Sequence, residues 1–222
     1  MAQKRTTTSQ TIEPQAVTDL IFFDIDGVIA DFSLEFTRAA ASYKKGSKVV
    51  TTADVQDWWY ADLGLTKEDA LHVMRILSGT HNLWRRLAPL PDLYGVHRIA
   101  QRYPVVFFTS RFPTTGQSVW QQTVEWLQAQ GFFEPVVLVA QNSVLPHPDS
   151  RPTKVDLVKA WNPRLVVEDN PHELELLMGM EDRKSTIWAY DRAYNKKAPS
   201  DLRGDITALL IYLGLEDVSV ES

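Results

Sequence analysis

The sequence predicts an α/β protein built on an open parallel sheet, and three observations lead there. Short apolar runs of strand length recur along the chain. Helix-periodic segments separate the later runs, the alternation typical of parallel sheets. Acidic or hydroxyl residues follow several of the runs, where a parallel sheet opens its binding crevice.

The first run, Leu20-Ile21-Phe22-Phe23, leads straight into Asp24-Ile25-Asp26-Gly27-Val28. In an extended chain, residues two apart point to the same side, so Asp24 and Asp26 project together. Gly27 then lets the chain turn away. The second strand is Val105-Val106-Phe107-Phe108, ending in Thr109-Ser110-Arg111, and the third is Val136–Val139. Between them Val119, Trp120, Thr123, Val124 and Leu127 recur at helical spacing, with Gly131 as a stop. Val155, Leu157, Val158 and Ala160 form a helix-like run opening at Lys154. The fourth strand, Leu165-Val166-Val167, ends in Glu168-Asp169-Asn170. There Asn170 suits an N-cap and Pro171 a first helical residue. Thr186-Ile187-Trp188 is the fifth strand.

Between the first two strands, roughly 75 residues lie from Val28 to Pro104, far more than one crossover needs. Phe32, Phe36 and Ala39-Ala40 share a helical face, and Thr66-Lys67-Glu68-Asp69 resembles a capping box before Leu71, Met74 and Leu77. Residues 31–87 are therefore expected to form a helical cap inserted after the first strand. Residues 18–30 and 88–222 make the core, with Val96–Arg102 as the crossover helix. The Thr/Ser/Gln-rich residues 1–17 read as a disordered tail without the apolar core of a secretory signal.

The composition narrows the function. At 222 residues and 44% hydrophobic, the chain can bury one sizeable core and a small subdomain. With 23 basic and 28 acidic residues, its net charge of −5 argues against a stable complex with nucleic acid. No apolar stretch approaches membrane-spanning length. The absence of cysteine excludes disulfides, Cys-ligated metals and thiol nucleophiles, and fits a cytoplasmic setting. The five histidines show no metal-ligand spacing.

Two carboxylates leaving one buried strand repel each other unless something neutralises them. A hard divalent cation such as Mg2+ does so while leaving one carboxylate for covalent chemistry. Taken alone, the first Asp pair and Thr109-Ser110 read more readily as turn chemistry, and Lys154 as a solvated helix face, whereas a second acidic pair after a second buried strand does not. Their order does not. Acids leave strand one, hydroxyls leave strand two, a lysine precedes strand four, and acids follow it, so all converge on one sheet edge. A cation, an ammonium and hydroxyl donors suit a phosphate.

These four motifs resemble the haloacid dehalogenase-like superfamily of phosphotransferases. Within it the sequence looks most like the 5'(3')-deoxyribonucleotidases, on Asp24 to Phe32, on Leu83-Trp84-Arg85-Arg86-Leu87-Ala88-Pro89-Leu90-Pro91 and on Phe107-Phe108-Thr109-Ser110. The resemblance implies a Rossmann-like core with a helical cap, and a Mg2+-dependent phosphomonoesterase acting on (deoxy)ribonucleoside monophosphates through an aspartyl-phosphate. Asp24 would be the nucleophile and Asp26 the general acid and base. Asp24, Asp26 through its backbone carbonyl, Asp169 and Glu168 would form the metal site, Glu168 acting through water. Thr109, Ser110 and Lys154 would hold the phosphate. Phe32, Trp58 and Trp59 would form a base pocket, with Arg111 reaching the substrate; from the residues alone Phe32, next to Asp26, favours the pocket, whereas either tryptophan reads more readily as cap packing. Other small phosphomonoesters, a polynucleotide end, or a non-catalytic phosphate-binding role remain as alternatives. Ile206–Leu213 is apolar enough to pack as a helix or to serve a homodimer contact.

Overall fold

The structure is a computed structural model and describes residues 19–58 and 60–216. Its centre is a six-stranded, all-parallel sheet of β1 (Ile21–Phe23), β4 (Val105–Thr109), β5 (Val136–Val139), β6 (Leu165–Glu168), β7 (Thr186–Tyr190) and β8 (Leu202–Gly204). The spatial order is β5-β4-β1-β6-β7-β8. All five expected strands are present. The sixth, β8, is a three-residue Leu-Arg-Gly segment with no apolar run to announce it.

Register explains why the site forms where it does. Phe23 stands opposite Phe107 on one side and Val167 on the other, so β1, β4 and β6 end at one level. The Asp24 N–H donates to Val167 O at 2.9 Å, carrying the ladder one residue further. The side chains alternate across the sheet. Phe22, Val106, Phe108 and Val166 pack on one face with Leu157, Val158, Leu174 and Leu177. The last four belong to α5 (Lys154–Trp161) and α6 (Pro171–Met178). Ile21, Phe23, Phe107 and Val167 face the other way, toward α3 (Leu93–Ala100), α4 (Val119–Ala129) and α7 (Ile206–Tyr212). Burial on both faces is why these strands read as continuous apolar runs.

The crossover helix begins at Leu93, three residues before its expected start, because Asp92 already has helical geometry. It ends at Ala100 rather than Arg102. The segment at Ile206 is the helix α7, which buries Leu209 and Leu210 and leaves Ile211 and Tyr212 exposed.

Two short strands, β2 (Ala30–Asp31) and β3 (Ala88–Pro89), pair antiparallel at the two ends of the long insertion. Between them lie α1 (Phe32–Tyr43) and α2 (Lys67–Ser78), which pack together. Asp31 caps α1 through the Leu34 N–H at 3.0 Å. The capping box at α2 is complete: Thr66 Oγ1 accepts from the Asp69 N–H, and Asp69 Oδ2 accepts from the Thr66 N–H. Three single 3-10 turns, at Thr52–Asp54, Ala61–Leu63 and Leu83–Arg85, complete the insertion. Among the described residues no helix is long and apolar enough to cross a membrane. The expected tail, 1–17, and Trp59 lie outside the described residues.

Candidate active site

Lys154 is the first residue of α5, fixed there because Thr153 and Asp156 form a reciprocal N-terminal box. Its side chain is buried and runs under the ends of β1 and β6. Nζ donates to Asp24 Oδ1 at 2.7 Å and to Glu168 Oε2 at 2.6 Å, and it lies 4.6 Å from the centre of the Phe108 ring. Burial alone would push the lysine pKa down, but the two carboxylates outweigh it and hold the ammonium charged.

Asp169 follows Glu168 and is equally buried, at 1% exposure. One oxygen of each of Asp24, Glu168 and Asp169 lies within 4.8 Å of the others. Three carboxylates against one ammonium leave two negative charges in a buried place. The consequence shows in the acids. Burial, then the Glu168 charge, pushes Asp24 up to about 8. Burial likewise raises Glu168, against the pull of Lys154, and raises Asp169 with help from the Asp24 charge. Asp169 Oδ1 is buried without a hydrogen-bond partner. A hard dication with oxygen ligands fits this cluster in charge, in donor type and in having an oxygen waiting for it.

Asp26 stands apart from that trio. Arg111 donates through Nε to Asp26 Oδ2 and through Nη2 to Oδ1, both at 2.8 Å. Thr109 Oγ1 reaches the same carboxylate at 3.4 Å. Arg111 does not extend into solvent: its side chain is fully buried, its Nη1 donates to Thr123, and its guanidinium lies over Trp84 and Trp126. The role expected for it, direct contact with substrate, competes with a carboxylate that already holds its fork. Ser110 is half-buried, and its carbonyl accepts from Asn142.

Above these groups opens a cavity of about 630 Å3. Asp24, Asp26, Thr109, Ser110, Lys154 and Asp169 line its floor, and Phe32, Trp58, Trp84 and Phe112 form an aromatic wall. Phe32 packs 5.6 Å from Trp84 and 6.2 Å from Phe112, ring centre to ring centre. Trp84 is held in the core by its Nε1 donating to Phe112 O at 3.0 Å. Leu71 and Met74 of α2 also line the cavity. Glu168 is enclosed beneath and does not line the cavity.

Several residues at the site escape a sequence reading. Tyr194 donates its hydroxyl to Asp169 Oδ2. Asn195 Nδ2 donates to the Asp169 carbonyl at 2.7 Å, and Arg192 Nε donates to the Gly27 carbonyl at 2.7 Å. All three follow β7 at the same sheet edge, which was the available signal. His147 Nε2 donates to Arg111 O, 2.8 Å away, from a loop with no periodic pattern.

Solved structures share this fold. An L-2-haloacid dehalogenase is 14% identical over 88% of this chain and 99% of its own, with a TM-score of 0.51. A HAD family hydrolase from Deinococcus radiodurans R1, with bound phosphate and sodium, is 13% identical over 90% and 96%, also at 0.51. A Lactobacillus plantarum protein named as a phosphoglycolate phosphatase is 12% identical over 87% and 98%, at 0.51. The neighbours are hydrolases of the haloacid dehalogenase superfamily, and the likeness is one of fold. No protein-family model and no curated protein matches the sequence.

Proposed function

We propose that this protein is a Mg2+-dependent phosphomonoesterase that hydrolyses nucleoside monophosphates by way of a phosphorylated Asp24. One observation carries the reading: beneath an aromatic-walled cavity, the buried carboxylates Asp24 and Glu168 share a single buried lysine, and Asp169 lies close enough to both to join them around one ion. Residues 31–87 then act as a cap over that floor.

Asp24 and Asp169 would hold the ion directly, with the Asp26 carbonyl, and Glu168 through water. Bound there, Mg2+ supplies positive charge that offsets the repulsion between an anionic nucleophile and an anionic ester. Lys154 acts on the same problem by holding Asp24 Oδ1, which orients the other oxygen toward phosphorus. That oxygen forms a bond to phosphorus as the ester P–O bond breaks. Asp26 gives the leaving alkoxide its proton, then takes one from the water that attacks the phosphoaspartate. The Asp24–phosphorus bond breaks, releasing inorganic phosphate and restoring the carboxylate. For Asp26 to reach the leaving group, one of its two contacts with Arg111 must open.

The nucleotide assignment rests on the wall. Phe32 and Trp58 offer ring faces to a base, worth about 1–3 kcal/mol per stacked base, and the volume suits a mononucleotide. Phosphate release should be measured with Mg2+ and with chelator, across 3'- and 5'-nucleotides, sugar phosphates, phosphorylated oligonucleotides and p-nitrophenyl phosphate. A 2-haloacid belongs in the panel because a structural neighbour is a dehalogenase. Nucleotides turned over no better than p-nitrophenyl phosphate would end the substrate claim. Turnover surviving Asp24→Asn would end the mechanism.

A further inference from the structure

We infer that Tyr194 is a positioning residue for the proposed metal site: its hydroxyl occupies Asp169 Oδ2 so that Oδ1 alone is presented to the ion. The inference rests on the metal reading above and adds a residue to it.

A carboxylate free to rotate can chelate through both oxygens or turn away. Asp169 has neither freedom. Tyr194 donates to Oδ2, while Oδ1 is buried and unpartnered. The backbone is held as firmly. Asn195 is fully buried and donates to the Asp169 carbonyl, while its own Oδ1 accepts from Arg203 Nη1 and the Arg192 N–H. From the same turn, Arg192 Nε donates to the Gly27 carbonyl. Ala193–Asn195, a single 3-10 turn, thus ties the turn after β1 to the loop after β6.

Gly27 makes the approach feasible. It has φ of +84°, and a Cβ there would sit 2.0 Å from Asp169 Oδ2 and 2.9 Å from the Tyr194 hydroxyl. Tyr194 itself does not line the large cavity. It borders an adjoining space of about 50 Å3 that shares Asp26, Phe32, Trp58, Met74 and Asp169 with the large cavity. Its contact with the proposed ligand set is the hydroxyl on Asp169. Its ring packs against Trp58, 5.5 Å between centres, and Tyr194→Phe keeps that contact while removing only the hydroxyl.

The test is Mn2+ binding to the intact protein without substrate, followed by electron paramagnetic resonance. Tyr194→Phe should weaken Mn2+ about 10–100-fold, the usual loss when the partner of a metal ligand is removed. A companion measurement needs no variant: Mg2+ should perturb the tyrosine absorption of the wild-type protein, and that signal should vanish in Tyr194→Phe. Wild-type affinity in Tyr194→Phe, or no tyrosine perturbation in a wild type that binds Mg2+, overturns the positioning role alone. A wild type that binds neither ion overturns the metal site itself, and the inference with it.

Discussion

Arg111 and Asp26 meet fork to fork: two guanidinium nitrogens, each 2.8 Å from a different oxygen of one carboxylate. The arginine is fully buried and the aspartate is 21% exposed on its side chain, so the inner partner sets the position of the outer one. Arg111→Lys keeps the charge and loses the fork. The expected result is a fall in kcat of about 10–100-fold with little change in KM, since a small misplacement of a reacting group costs that much. Steady-state phosphate release checks it. A raised KM at constant kcat would instead make Arg111 a substrate contact.

Metal and pH should be linked in a definite direction. Asp24 has its pKa raised from 3.8 to about 8 by burial. A raised folded-state value means its contribution to stability is complete below about pH 4 and is lost as pH climbs toward 8. In chelator, the melting temperature should therefore drop across that window, by the equivalent of a few kcal/mol, on the order expected for a buried acid. Saturating Mg2+ should flatten the slope. Thermal melts at several pH values with and without Mg2+ decide this, and a slope that Mg2+ leaves untouched would refute it.

Trp58 borders the cavity and is half-buried. Trp58→Ala should raise KM for nucleotides by about 5–150-fold, the equivalent of one lost stacking contact. For p-nitrophenyl phosphate the kinetic constants should hold. Equal losses on both substrates would point to a role in packing rather than in base recognition.

Asp69 behaves oppositely to the buried acids. The Lys44 ammonium at 2.7 Å, together with the Thr66 N–H, lowers its pKa to about 2. A depressed value gives stability above the unfolded pKa, near 4, that is lost as pH falls toward 2. The start of α2 should fray in that acid range, read by amide signals of residues 67–70. Asp69→Asn should fray similarly at neutral pH and respond less to acid.

Most of the site's floor is legible in the sequence because parallel strands deliver their ends to one edge. Asp24, Thr109, Lys154 and Asp169 each sit beside an apolar run that can be recognised by eye, and register brings them together. What escapes has no such marker. Arg111 is legible as a residue of the site, but its grip on Asp26 and its enclosure by Thr123 and two tryptophans are not. Tyr194 and Asn195 belong to an irregular turn whose value depends on reaching back 25 and 26 residues to Asp169. β2, β3 and β8 are too short for periodicity to carry information.

The antiparallel pairing of Ala30 with Pro89 and of Asp31 with Ala88 sets exit and return side by side. The Leu90 N–H adds a bond to Ile29 O at 2.8 Å just below that neck. A detour whose two ends already touch asks nothing of the strands beneath it. It can lengthen, shorten or be exchanged without shifting their alignment, and loop-closure entropy grows only slowly with length. The chain can thus acquire a new appetite for ligands by rewriting the detour, while the chemistry at its foot stays as it was.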